Sequence, residues 1–135
     1  MCGIFGVISK SSVDFNKLEQ LAKHARQRGR DSSGLLCLDD GNYTAYRADY
    51  DIIKLIKRVK SDRFSTVLGH SRLITNGLSD NQPVVRDGIA VLHNGIIVND
   101  DEIWAKLKSK RRGSVDSEVI AAIAAEHISA DAAPR

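Results

Sequence analysis

The chain has 135 residues, 42% apolar and 27% charged, with a net charge of +3. That length suits one domain around one core, and nothing in it is apolar enough to cross a membrane as a helix or shaped like an export signal, so the cytoplasm is the expected compartment. Two cysteines, Cys2 and Cys37, are too few for a disulfide framework or a metal cluster. No metal or cofactor is expected. Asn42-Tyr43-Thr44 fits a glycosylation triplet that carries no meaning inside the cell.

Cys2 to Ser9 is an apolar run that reads as a first, mostly buried strand. Asp14 to Gln27 places Leu18, Leu21, Ala22 and Ala25 on one helix face. Arg28 to Gly34 is a polar, glycine-bearing loop. Leu35 to Leu38 is a short strand, turned by Asp39-Asp40-Gly41 into a hairpin partner from Tyr43 to Ala48, with Cys37 as core filler. Ile52, Ile53, Leu55, Ile56 and Val59 form the dry side of a second helix. Thr66 to Gly69 is a strand leading into His70-Ser71-Arg72-Leu73, and Thr75 to Pro83 is too irregular for an element. Ile89 to Leu92 and Ile96 to Val98 are strand-like and flank Asn94-Gly95, a dipeptide that signals a hairpin turn. Asn99 with Glu102 makes a capping box for a further helix. Lys106, Lys108, Lys110, Arg111 and Arg112 read as a solvated helix end. No aromatic residue interleaves with them, as a surface that stacks single-stranded nucleic acid needs. Asp116 opens a final helix running to near Ile128. This is an α+β pattern with a mostly antiparallel sheet.

Four places carry polar groups where strand ends or tight turns are expected: Cys2, Arg72, Asn94-Gly95 and Asp116. Singly, each has a plain reading: a small hydrophobe near the terminus, a surface arginine, a type I′ turn and a helix N-cap. His70 and His93 read as packing histidines at strand ends. Together they supply a set of roles. If Met1 is removed, Cys2 has a thiol and a free α-amine, a nucleophile with its own base. An Asn amide beside a Gly N–H offers two oxyanion donors. An arginine offers a fork for a carboxylate, and an aspartate a counter-charge for an ammonium. Those groups describe an amino acid with a side-chain amide.

The residues that carry these roles also carry a resemblance. Met1-Cys2-Gly3-Ile4-Phe5-Gly6, Arg28-Gly29-Arg30-Asp31-Ser32-Ser33-Gly34, Gly69-His70-Ser71-Arg72, Val91-Leu92-His93-Asn94-Gly95-Ile96-Ile97 and Asp116-Ser117-Glu118-Val119-Ile120 occur in the order found in class II glutamine amidotransferase domains, which are N-terminal nucleophile hydrolases. The chain resembles most the amidotransferase half of the glutamine:fructose-6-phosphate aminotransferases, with features of the asparagine synthetases. The resemblance implies that Cys2 is the nucleophile with its α-amine as base, and that Asn94 and Gly95 form the oxyanion hole. It implies that Arg72, Thr75 and Asp116 bind glutamine and that Arg28 supports the N-terminal cysteine. The implied activity is release of ammonia from L-glutamine for an acceptor synthetase or transferase, with no role for nucleic acid or membrane.

The chain departs from the aminotransferase pattern at Leu73 (tryptophan there) and Asn76 (histidine there), and Asp80-Asn81-Gln82-Pro83-Val84 is nearer the synthetase loop. Family domains continue past the helix at Asp116 with strands that complete an αββα sandwich. The expectation is one domain over residues 1–135 whose second sheet lacks those strands, and an uncovered sheet would favour a homo-oligomer. A glutamine-binding module without catalysis, an inactive domain fragment and a different N-terminal-nucleophile amidase are the other readings.

Overall fold

Asp14 ends the first loop by accepting hydrogen bonds from the N–H groups of Asn16 and Lys17, the N-cap geometry that starts a helix. The computed structural model describes residues 2–73 and 81–131. Its elements are β1 (Cys2–Ile8), α1 (Phe15–Arg26), β2 (Ser32–Asp39), β3 (Asn42–Ala48), α2 (Ile52–Val59), β4 (Thr66–Arg72), β5 (Val84–Arg86), β6 (Ile89–Val91), α3 (Asp100–Trp104) and α4 (Glu118–Asp131).

One sheet has the order β1-β4-β2-β3, with every pair antiparallel. Opposed residues share a face and successive residues alternate. Phe5, Leu35, Cys37, Ala48 and Val67 therefore point one way, into a core with Leu18, Ala22 and Ala25 of α1 and Ile52, Leu55 and Ile56 of α2. Leu18, Ile52 and Leu35 are fully buried, each contributing about 1.5–3 kcal/mol. Gly3 lies on this helix side, where an added Cβ would fall 2.4 Å from the Ala25 carbonyl oxygen. Only glycine lets α1 lie against β1 there, beside Cys2.

The opposite face carries the row Cys2, Arg72, Ser32 and the row Ile4, His70, Gly34, Arg47. The segment entering β5 lies on it: a Cβ on Gly34 would sit 1.6 Å from the Gln82 carbonyl oxygen, and Arg47 Nε donates to the Pro83 carbonyl at 2.8 Å. β5 and β6 form a separate antiparallel hairpin, and α4 packs on both strands. Its turn, Asp87 (φ 49°) and Gly88 (φ 78°), repeats the β2–β3 turn at Asp40 (φ 46°) and Gly41 (φ 79°). Positive φ at both central residues is the type I′ signature.

The α+β pattern with antiparallel sheets therefore holds, with local corrections. β2 begins at Ser32, inside the expected loop, because Ser32 and Ser33 are buried against β4. β4 runs through to Arg72, making His70 and Arg72 strand residues. Val84–Arg86, directly after the stretch read as irregular, is a strand to which no element was assigned, and it supplies the partner of β6. Asn94-Gly95 is consequently no hairpin turn, and Ile96 to Val98 is no strand; Ile96 and Val98 are exposed. Asn99 stands at the N-cap of α3 without a side-chain hydrogen bond, and α3 has only five residues. The basic residues lie beyond it, in the connection to α4, where Arg111 meets Asp100 and Asp101 and Arg112 meets Asp87. Asp116 precedes α4, and its carboxylate accepts both the Ile97 N–H and the Ser117 N–H just ahead of the helix.

Candidate active site

Cys2 opens β1 directly opposite Arg72, the last residue of β4. Both are half-buried. The backbone N–H of Cys2 points to Asn94 Oδ1 at 3.4 Å, a long hydrogen bond that crosses from the first sheet to the loop after β6. With Oδ1 turned to Cys2, the Asn94 side chain keeps its amide N–H₂ as a donor. Gly95 follows with no side chain, and a Cβ there would fall 2.7 Å from His93 Nε2, so the His93 ring occupies that space.

His93 is the junction of this loop. Its N–H donates to Gln82 Oε1 at 2.6 Å, and its carbonyl accepts from Gln82 Nε2 at 3.0 Å. Its ring Nδ1 lies 3.0 Å from Ser117 Oγ. Ser117 Oγ is in turn 3.2 Å from Asp116 Oδ1, while Asp116 Oδ2 accepts the Ile97 N–H at 2.7 Å. Asp116 is thus joined to Asn94 through Ser117 and His93. The fold brings Cys2, Arg72, Asn94, Gly95 and Asp116 into one connected patch.

Arg28 is exposed on the loop between α1 and β2. That loop is stitched to the end of β4: Ser71 Oγ donates to the Gly29 carbonyl at 2.6 Å, and Asp31 N–H donates to the Arg72 carbonyl at 3.0 Å. Thr75 and Asn76 lie outside the described residues.

His70 sits under the patch, 1% exposed. Burial, then the charge of Arg72, hold its imidazole down to about pKa 4, with a hydrogen bond to the His93 backbone opposing them. The ring is neutral at physiological pH, which avoids a second cation beside Arg72. Cys37 is the contrasting thiol: burial pushes it up to about 12, so it has no nucleophilic role. Grooves of about 700 Å³, lined by Lys108, Glu126 and His127 among others, and about 350 Å³, lined by Arg47, Arg86 and Arg112 among others, lie away from Cys2. The chemistry of the patch, not the size of these openings, makes it the candidate site.

Sequence reasoning missed three supports. Gln82 and Ser117 hold His93 and are silent in any pattern of periodicity. The third is a buried ion pair, Arg86 Nη1 to Glu118 Oε1 at 2.5 Å, with Arg86 also donating to the Lys110 carbonyl and stacked 5.2 Å from the Trp104 ring centre. Its signal was faint, since Arg86 stands beside Asp87 and Glu118 follows Asp116 and Ser117, so neither is isolated as a charge.

The chain is similar to known proteins in sequence and in fold. A family model described as a glutamine amidotransferase domain matches residues 70–135. A glutamine–fructose-6-phosphate aminotransferase (isomerizing) of Rhizobium meliloti strain 1021 is 31% identical over 94% of the chain, and one of Rhizobium leguminosarum bv. viciae is 34% identical over 90%. The chain spans only 22% and 21% of those proteins. Among solved structures, the glutamine phosphoribosylpyrophosphate amidotransferase of B. subtilis, complexed with ADP and GMP, superposes with a TM-score of 0.67 at 25% identity, covering 89% of this chain and 28% of that one. Similar to these enzymes in sequence and in fold over nearly all of its length, the chain belongs to the class II glutamine amidotransferase domains.

Proposed function

We propose that the chain hydrolyses the side-chain amide of L-glutamine, with Cys2 as nucleophile once Met1 has been removed. The observation that carries this reading is the placement of Cys2 opposite Arg72 with its nitrogen at the Asn94 side chain. With Met1 gone, that nitrogen is the α-amine, and it takes the thiol proton as the sulfur attacks the δ-carbonyl. A C–S bond forms and the oxyanion is held by the Asn94 amide and the Gly95 N–H. One such donor is typically worth about 3–4 kcal/mol of barrier. The C–N bond then breaks, and ammonia leaves with the proton returned from the α-ammonium. Water attacks the γ-glutamyl thioester, the C–S bond breaks, and glutamate is released with the thiol restored. Arg72 pairs with the substrate α-carboxylate and Asp116 with its α-ammonium. Arg28 supports Cys2 through the loop sewn to β4.

The ammonia serves an acceptor synthetase or transferase. The two sheets with helices outside them fit an αββα sandwich of one domain, and exposed Ile4 and Ile8 on β1 fit a second layer that further strands or a second copy would cover. The basic residues beyond α3 are partly neutralised by Asp87, Asp100 and Asp101, which favours a structural role over a nucleic-acid surface. The cytoplasm is the proposed compartment.

The test is ammonia release from glutamine by the full chain. Cys2→Ala should abolish it, whereas Arg72→Ala and Asp116→Ala should raise KM by 10-fold or more, since each removes a charge-assisted contact worth about 1.5–3 kcal/mol. Glutamine binding without release by the parent chain would favour the non-catalytic module instead.

A further inference from the structure

Gln82 lies in a stretch where the sequence signals no element, yet its side chain is buried, with the residue 5% exposed. Both ends of its amide go to one residue, accepting from His93 N–H and donating to the His93 carbonyl. That pair of bonds imitates the exchange between opposed residues of an antiparallel ladder. It does so just after β6 has ended at Val91, where His93 no longer has a strand partner. The backbone of Gln82 is itself seated on the first sheet over Gly34. A stiff path therefore runs from the sheet that carries Cys2, through Gln82, to the residue before Asn94. The neutral ring of His70 meets the backbone of His93 from below.

We propose that Gln82 is a positioning residue for the oxyanion site, pinning His93 to the first sheet and so setting the distance of Asn94 and Gly95 from Cys2. This rests on the glutaminase function proposed above. Gln82 acts only through His93 and touches no substrate. An oxyanion donor is effective only within about 2.7–3.1 Å of the developing charge. A drift of about 1 Å costs on the order of 100-fold in rate. The groups proposed to bind glutamine have anchors of their own: Arg72 lies in the β1–β4 ladder, and Asp116, besides its link to His93 through Ser117, accepts the backbone N–H groups of Ile97 and Ser117, which Gln82→Met leaves in place.

The experiment compares the full chain with Gln82→Met, which keeps length and loses the amide, and Gln82→Glu, which keeps an acceptor for the His93 N–H. Steady-state kcat and KM for glutamine are measured beside the rate at which iodoacetamide, a thiol reagent that needs no oxyanion donor, alkylates Cys2. Gln82→Met should lower kcat about 100-fold with KM within about twofold and alkylation unchanged, and Gln82→Glu should fall between it and the parent. If Gln82→Met does not fold, Gln82→Glu decides by the same split. An active parent whose folded variant keeps its kcat, or loses kcat and glutamine binding together, overturns the positioning role alone. A parent that releases no ammonia overturns the function reading and this inference with it.

Discussion

Replacing Arg86 by methionine tests how the first residues of α4 are held. The Arg86 side chain is 2% exposed and that of Glu118 is 6%. Glu118 also accepts the N–H groups of Gly113 at 2.7 Å and Arg112 at 3.1 Å, so its carboxylate stays partly satisfied when the arginine goes. The Lys110 carbonyl loses its donor as well. Breaking a buried pair from one side costs about 3–5 kcal/mol, and the two remaining N–H donors place the expected loss at ~3 kcal/mol. For a chain of this length that is roughly a 10–15 °C fall in melting temperature. Arg86→Met with Glu118→Gln removes the stranded charge while keeping an acceptor for both N–H groups. The double variant should recover about half of the loss. Because Glu118 follows Asp116 and Ser117, Arg86→Met should also raise KM for glutamine. The assay is thermal melting followed by circular dichroism at pH 7 in ~0.1 M salt, which leaves a buried pair largely unscreened. A melting temperature within about 3 °C of the parent would refute the reasoning. So would a double variant whose loss equals the sum of its two single variants.

Gly34→Ala should destabilise by more than about 2 kcal/mol, because its methyl would meet backbone atoms of Gln82 at 1.6 and 2.7 Å, and it should lower kcat by displacing the Gln82–His93 link; a melt that matches the parent would contradict the seating of that segment on the sheet. Stability should fall as the pH drops from 6.5 towards 4. The unfolded chain binds a proton on His70 at its ordinary value of 6.5, and the folded chain binds it only near 4. The loss is roughly 2–4 kcal/mol over that interval. Glu118 acts in the same direction lower down: burial raises its pKa, but the N–H of Gly113, the Arg86 guanidinium and the N–H of Arg112 together hold it below 4.5, so its contribution is present above that value and disappears in acid. Denaturant melts across the range check this, and His70→Asn should flatten the limb between pH 6.5 and 4.

The parts of the fold read correctly from sequence are those with strong local chemistry. Leu18, Ala22 and Ala25 mark the buried face of α1, the Asp40-Gly41 turn joins β2 to β3, and Ile52 to Val59 show their dry face in the sequence. Asn94-Gly95 misled because two Asx-Gly dipeptides compete for β6, and the nearby Asp87-Gly88 pairs it with β5. Short β5 has no alternation long enough to notice. The candidate nucleophile and its neighbours were legible because each residue type carries its own chemistry. The groups that hold them were not, since Gln82 and Ser117 gain meaning only when they meet His93, 11 and 24 positions away, and His70 only once β4 lies beside β1.

The central claim is that Cys2, with a free α-amine, is the nucleophile. Its most direct test is mass spectrometry of the full chain after reaction with a diazoketone analogue of glutamine. Met1 should be absent, one equivalent of label should sit on Cys2, glutamine should protect it, and Cys37 should be unmodified. Retained Met1 with no label on Cys2, or label on Cys37 that glutamine does not prevent, would contradict the account.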